Sequence, residues 1–444
     1  MRDVLFITLK FPPNADIGAK RPLRMVRRLP RHGWRPTVLT LPVGEPGEND
    51  PALLDLVPGD LRIERTYAGG PVFRVIDGVK RAWARDVGRS LSGGRPAAPG
   101  RWTKARRALI YRAENVVQGL TVLDEWSLFL PRGTLQALRM LRGGRFEVVY
   151  VCGDPNSPYV AGWIASRRSG LPLVLDMRDP WTQDPTIKAL KYAHTHRIEV
   201  EIERRIFRDA AAIVLNTRRA RDRYLDFYPW LDAGKVHVIH NAFDEELVDD
   251  VEVEPDARFT IAHFGHYHRL RSARVFLDGL RLFMDGAGLG EEDVRFVNYG
   301  EFIPADLEYA GSIGLGNVVE VRPPMPFRGS PAALRRARVL LIEQRNPASV
   351  QIPGKLYDYF LASRPVLSLS LNPELVKLIE ETRSGWSVDP EDPAAVAQAL
   401  ERARATDLGE WLKGLNREAM VPYSGEDTAR RLAAILDGVA RPAD

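Results

Sequence analysis

A Pro-Gly turn opens the stretch "QIPGKLYDYFLASRPVLSLS" (351–370), a basic residue comes next, and an acid stands three positions further on. Ile352, Pro353 and Gly354 read as a loop leaving a strand, which sets Lys355 at a helix N-terminus. Free N–H groups and the helix dipole favour an anion there, and Lys355 adds a full positive charge. Asp358 lies on the same helical face one turn deeper, where a carboxylate can accept two hydrogen bonds from a ribose diol. Together they describe a holder for a nucleoside diphosphate; an exposed Lys-Asp pair behind a capping loop is the plainer alternative.

A second anion-binding pattern lies in "AHFGHYHRLRSARVFLDGL", where a strand ends in Gly265 and His266, His268, Arg269 and Arg271 precede a helix. A glycine that lets backbone approach phosphate, with cations after it, suits a diphosphate whose charge grows as it leaves, and Arg271 is the first choice for that contact. His263, His266 and His268 have a spacing a metal could use. His263 falls inside the strand and no acid cluster accompanies it, so no metal is expected. Near the N-terminus, "KFPPNADIGAKRPLRM" sets Gly18 before Lys20 and Arg21 at a helix start, either an anion site or a surface loop. "CGDPNSP" and "DMRDPW" place Asp154, Asn156 and Ser157, and Asp176, Arg178, Asp179 and Trp181, at the carboxyl ends of two strands. Capping of helices by Asp154 and Asp179, each followed by Pro, is the simpler reading of those acids. Cys152 carries no sign of activation and reads as a small core residue.

These residues need strands to end where they stand. Short apolar runs at 4–9, 36–41, 147–152, 171–177, 211–216 and 236–241, then at 259–265, 294–300, 318–323, 339–344, 364–370 and 385–388, alternate with helical patterns. Near-continuous apolar strands alternating with helices imply parallel sheets covered on both faces, here two doubly wound sets of six strands. The acidic, Pro-containing stretch 241–259 separates them, which gives an N-terminal domain 1–248 and a second domain 249–424, with a last helix over 425–444. Ligands of such sheets bind outside the carboxyl ends of the strands, so two sheets facing each other would enclose a cleft.

The composition fits this outline. With 45% hydrophobic and 27% charged residues among 444, the chain can fill sizeable cores, and disorder is not the expectation. A single cysteine excludes an internal disulfide framework and a Cys-based zinc cluster. No apolar run reaches the roughly 18 residues that span a bilayer, and no secretory leader is evident, which points to the cytoplasm. The net charge is +5, yet Arg74 to Arg112 carries eleven Arg or Lys against two Asp, leaving the remainder of the chain at −4. That excess belongs to an insertion at about 70–125 that breaks the alternation. It holds a linker-like "SLSGGRPAAPG" and an amphipathic basic pattern at 101–120. Such a helix either packs on the domain with its charges solvated or lies on an anionic membrane at its inner face; a nucleic-acid partner is not indicated.

The set "FPPNADIGAKR…HGWRPTVLT", "LVLDMRDPW", "AAIVLNT", "VHVIHNAFD", "HFGHYHRLRS" and "IPGKLYDYFLASRPVL" is similar to the GT-B glycosyltransferases of family 4, the group 1 transferases that build bacterial polysaccharides and decorated metabolites. The resemblance covers nearly the whole chain and is weakest at the insertion. It implies an α/β fold of GT-B type, two doubly wound Rossmann-like domains facing an interdomain cleft, with the C-terminal helix crossing back to the first domain. It implies a nucleoside-diphosphate sugar bound mainly by the second domain and a sugar, lipid-linked or small-molecule acceptor bound by the first. Transfer would proceed with retention and without a metal or other cofactor. Arg271 and Lys355 fall on catalytic diphosphate contacts, Gly18, Gly265, His266 and Gly354 line the donor, and Asp358 takes the place of the usual ribose-binding Glu. Asp154, Asn156, Asp179 and Trp181 would meet the acceptor. Three positions depart from the family pattern: Val350 stands where a first Glu is frequent, His266 replaces an Arg, and Cys152-Gly153 replaces a strand-end His. A GT-B epimerase and a non-catalytic nucleotide- or membrane-binding GT-B protein are the rival readings.

Overall fold

The computed structural model describes residues 1–43, 49–66, 122–124, 126–127, 129–153, 155–184, 191–247, 253–267, 271–325 and 330–440. Asp154, His268, Arg269 and the basic stretch at 70–120 lie outside the described residues.

Among the described residues the strands form two parallel sheets. The first contains β1 (Arg2–Ile7), β2 (Trp34–Thr40), β3 (Arg62–Arg65), β4 (Phe146–Gly153), β5 (Leu173–Met177), β6 (Ala212–Leu215) and β7 (Val236–Val238), in the order β3-β2-β1-β4-β5-β6-β7. The second contains β8 (Phe259–Phe264), β9 (Val294–Tyr299), β10 (Val319–Arg322), β11 (Val339–Gln344), β12 (Val366–Ser370) and β13 (Gly385–Val388), in the order β10-β9-β8-β11-β12-β13. The first sheet thus has seven strands where the apolar runs predict six. The additional β3, "RIER", pairs with β2 alone at the sheet edge and is at best half-buried. An edge strand needs no continuous apolar run and tolerates charge, so the apolar pattern passes over it.

The helices between the strands start and stop for local reasons. Asp392 accepts the N–H groups of Ala394 and Ala395 at 2.9 and 3.1 Å ahead of the helix Pro393–Ala405, the Asp-Pro start that the sequence announces. The helix Ser157–Ser169 ends on Gly170, whose φ of +73° suits glycine.

By its contacts the chain forms two compact units, 1–239 with 429–444 and 240–428, so the division falls between Ile239 and His240 rather than at 248. In the first unit, Val4, Phe6, Trp34, Val148, Tyr150 and Val174 share a core with Ala429, Leu432, Ala433 and Leu436 of the helix Gly425–Val439. Trp34 Nε1 fixes that helix further by donating to Asp437 at 3.0 Å. In the second unit, successive strand residues face opposite ways: Ile261, Phe296 and Leu341 pack with Phe276 and Leu400, while Ala262, Val297 and Leu340 pack with Leu356 and Tyr359. Both faces of the sheet are covered, as its apolar strands require.

Each sheet reverses its strand order once, between β1 and β4 and between β8 and β11. Ligands of doubly wound sheets bind beyond the carboxyl ends at such a reversal, and in the second sheet Gly265, directly after β8, falls there.

Candidate functional site

Three strands of the second sheet each carry a buried polar side chain near their carboxyl end: His263 in β8, Asn298 in β9 and Glu343 in β11. His263 and Asn298 are register partners, and His263 Nδ1 lies 2.7 Å from Asn298 Oδ1. The Asn298 amide is oriented by donating to the carbonyls of Gly300 and Glu301 at 3.0 and 3.3 Å. Its oxygen therefore faces the imidazole, Nδ1 must donate, and Nε2 is left as an acceptor. Lys355 Nζ occupies that position, 2.6 Å from Nε2. Burial, with the Lys355 and Arg271 charges, keeps the His263 ring neutral by holding its pKa well below the usual value.

Lys355 begins the helix Lys355–Ala362, behind Gly354, and its amine is pulled down to about 7. Burial is the main cause, the Arg271 guanidinium adds to it, and the Glu343 carboxylate opposes it. Glu343 is itself fully buried and is pushed up by burial, against a 2.8 Å hydrogen bond from Tyr267 and the nearby charges of Arg345, Arg271 and Lys355. Three cations, Arg345, Arg271 and Lys355, thus bear on one buried carboxylate, and with Arg345 also paired to Glu391 at 3.1 Å, positive charge is in excess around Lys355. That excess is the physical requirement for holding an anion.

Gly265 makes the arrangement possible. Its φ is +150°, and a Cβ there would stand 2.9 Å from Lys355 Nζ. Its N–H donates to Tyr299 O at 3.0 Å, so the glycine provides room for the lysine rather than a free N–H for phosphate. Gly300, with φ of +142°, lets the neighbouring turn approach, since a Cβ on it would collide with Gly265 O. Arg271 is positioned through the two residues after it: Arg345 donates to Ser272 O at 2.8 Å, and Asp306 accepts from Ala273 N–H at 2.9 Å. His266 is exposed and its Nδ1 accepts from Glu301 N–H at 3.1 Å. Asp358 is half-buried in the first turn of the Lys355 helix, and Val350 is buried in the core.

The first unit holds the remaining residues. The Gly18 N–H is accepted by Asp16 Oδ1 at 2.8 Å as the N-cap of the helix Ile17–Arg28, and a Cβ on Gly18 would collide with Arg178 Nη1. Gly18 therefore admits the Arg178 side chain at the carboxyl ends of β1 and β5, with Lys10 paired to Asp16 at 3.1 Å. Asp179 accepts from Arg178 Nε at 2.7 Å and caps no helix among the described residues. Asn156 is half-buried just ahead of the helix Ser157–Ser169. Trp181 is 1% exposed, stacks on Tyr159 with ring centroids 6.2 Å apart, and donates its backbone N–H to the Tyr224 hydroxyl at 2.8 Å. Its ring is thus core and does not line a surface. Arg21 is likewise buried, paired with Asp176 at 2.8 Å, which removes it as an anion ligand. Burial raises the Cys152 thiol to about 12, in keeping with a core role.

Of the expected donor residues Lys355, Gly354, Asp358, Gly265, His266, Arg271 and Gly18, the fold gathers Lys355, Gly265 and Arg271 around His263, while Gly18 belongs to the first unit. Motif spacing passes over Asn298 and Glu343. A signal for both is nevertheless present: a polar residue within two positions of the end of a largely apolar strand.

Among the described residues no helix is long and apolar enough to cross a membrane, and no group of three or more His, Cys, Asp or Glu is placed to hold a metal ion. Residues 18–242, half of the chain, match the family described as a glycosyl transferase 4-like domain. No curated protein matches the chain. Among solved structures, HepE of Anabaena in complex with UDP is 13% identical with a TM-score of 0.63, covering 99% of this chain and 100% of that one. A glycosyltransferase from Rickettsia africae ESF-5 is 10% identical with a TM-score of 0.66, over 99% and 98%. A putative UDP-N-acetylglucosamine 2-epimerase from Listeria monocytogenes is 13% identical with a TM-score of 0.59, over 100% and 98%. At these identities the likeness is one of fold, two Rossmann-like domains of GT-B type.

Proposed function

Because the chain belongs to the glycosyl transferase 4-like family, we propose that it transfers a sugar from a nucleoside diphosphate to an acceptor hydroxyl, with retention and without a metal. The observation that carries this reading is the Lys355 amine, set beside Gly265 at the strand-order reversal of the second sheet and electrostatically coupled to Arg271. Lys355 and Arg271 would neutralise the charge that develops on the departing diphosphate, and no covalent nucleophile is needed. Asp358, one turn along the same helix, would accept the ribose hydroxyls. Asn156 and Asp179, at the strand ends of the first sheet, would meet the acceptor, a polysaccharide precursor, lipid-linked sugar or small metabolite.

The test is the thermal midpoint of the protein with UDP, GDP, ADP, CMP or dTDP. A ligand at a hundred times its Kd adds about 2.7 kcal/mol. UDP is the first choice, since the Anabaena neighbour was solved with it. A shift with one nucleotide, absent in Lys355→Ala, is the expected result; a shift that survives this substitution removes Lys355 from the site. Conversion of the matching nucleotide sugar without any acceptor would replace transfer by epimerisation, the activity named for the Listeria neighbour.

A further inference from the structure

His263 has no exposed surface, lies in the middle of a sheet, and has both ring nitrogens engaged. A core position would be filled more cheaply by an apolar side chain, because burying an imidazole costs free energy unless each nitrogen finds a partner. Here one partner is Asn298, itself locked by two backbone carbonyls, and the other is the amine assigned to the diphosphate. The chain of contacts fixes the tautomer, and the tautomer fixes which atom Lys355 can reach.

We propose that His263 is a positioning residue that couples nucleoside-diphosphate binding to proton uptake: its Nε2 holds the Lys355 amine beside Gly265, and the arriving diphosphate draws a proton from solvent onto that amine. This rests on the reading of the site as a diphosphate holder. Among the described residues, the groups that bear on Lys355 are few. From β8 and the turn after it come His263 and Arg271, with His266 acting on His263. From β11 comes Glu343, which Tyr267 and Arg345 restrain. Lys355's own helix carries one acid in its first turn, Asp358. Arg271 and the apolar surroundings disfavour the ammonium form, whereas Glu343 supports it. A diphosphate reverses that balance, and the proton it calls for goes to Lys355 Nζ because the His263 ring is more strongly disfavoured as a cation.

The coupling can be read by calorimetry of the full-length protein at about pH 8, with UDP, GDP, ADP and inorganic pyrophosphate, in buffers of differing ionisation enthalpy. The terminal phosphates of the nucleoside diphosphates, with a second pKa near 6, are already ionised there; inorganic pyrophosphate still holds a proton at that pH and reports binding alone. The expected result is uptake of about one proton per ligand bound, vanishing towards about pH 6, and a Kd that rises about tenfold per pH unit above pH 8. Lys355→Arg, permanently charged, should bind with no uptake. His263→Leu should move the midpoint of the uptake profile to lower pH, and His263→Gln, whose Oε1 can accept from Nζ, should return it. A merely structural histidine would leave that midpoint in place. Wild-type binding without uptake overturns the coupling alone, and an unmoved midpoint in His263→Leu overturns the role of His263. Binding of none of the four ligands overturns both this inference and the function on which it rests.

Discussion

A single methyl group at Gly265 would press on Lys355 and meet the ring of His263. With φ at +150° an L residue is strained, and the added carbon would press on Lys355 Nζ. Gly265→Ala should lower stability by about 1–3 kcal/mol and abolish the nucleotide-dependent thermal shift; retention of the full shift would mean that the lysine does not need this space. The lysine also carries a cost of its own. Its folded pKa of about 7 lies below the unfolded value near 10.4. Between these the unfolded chain binds the proton that the folded chain has released, so stability rises with pH across that window and is poorest below it. Lys355→Met should raise the thermal midpoint near neutrality, by about 1–3 kcal/mol in stability, flatten the rise, and remove nucleotide binding. A lower midpoint in Lys355→Met would show that the bond between Nζ and His263 Nε2 outweighs the cost of burying the amine.

The helix Ala193–Asp209 illustrates how an element can act at a distance through one side chain. Glu203, fully buried, accepts from Thr182 Oγ1 at 2.6 Å, Thr182 N–H at 3.1 Å, Tyr228 at 2.9 Å and Tyr224 at 3.1 Å, and so ties the segment after β5 to two helices. Burial lifts its carboxyl to about 7 against those four bonds. Glu203→Gln turns an NH₂ group towards donors, and should cost about 1–3 kcal/mol in chemical denaturation; no loss would mean that the network reorganises. None of this is visible in the sequence, because the partners come from separate elements and pair only once the sheet is formed. The central strands are legible, since a strand buried on both faces must be apolar throughout. So is the Gly354-Lys355-Asp358 turn, where all the information is local. Local pattern cannot say that Trp181, after β5, and Arg21, in the helix Ile17–Arg28, turn inward onto Tyr159 and Asp176. Nor can it say that His263, a flaw in an apolar run, is the residue holding the lysine.

For the molecule as a whole, stability is shared between two units with separate cores. Leu432, near the end of the chain, belongs to the core of the first. Leu432→Ala should destabilise that unit by about 2–5 kcal/mol and expose its segments to protease ahead of those in 240–428. Equal acceleration in both would show that they unfold together. Four of the first unit's core side chains, Ala429, Leu432, Ala433 and Leu436, arrive after every residue of the second. During synthesis, therefore, the half of the molecule that the ribosome makes first is completed last. The second unit has all its residues in one uninterrupted span and can fold as that span emerges. The first must wait with part of its core unfilled until residues 429–436 have been made, so a nascent chain halted after residue 428 would hold the later unit whole and the earlier one unfinished.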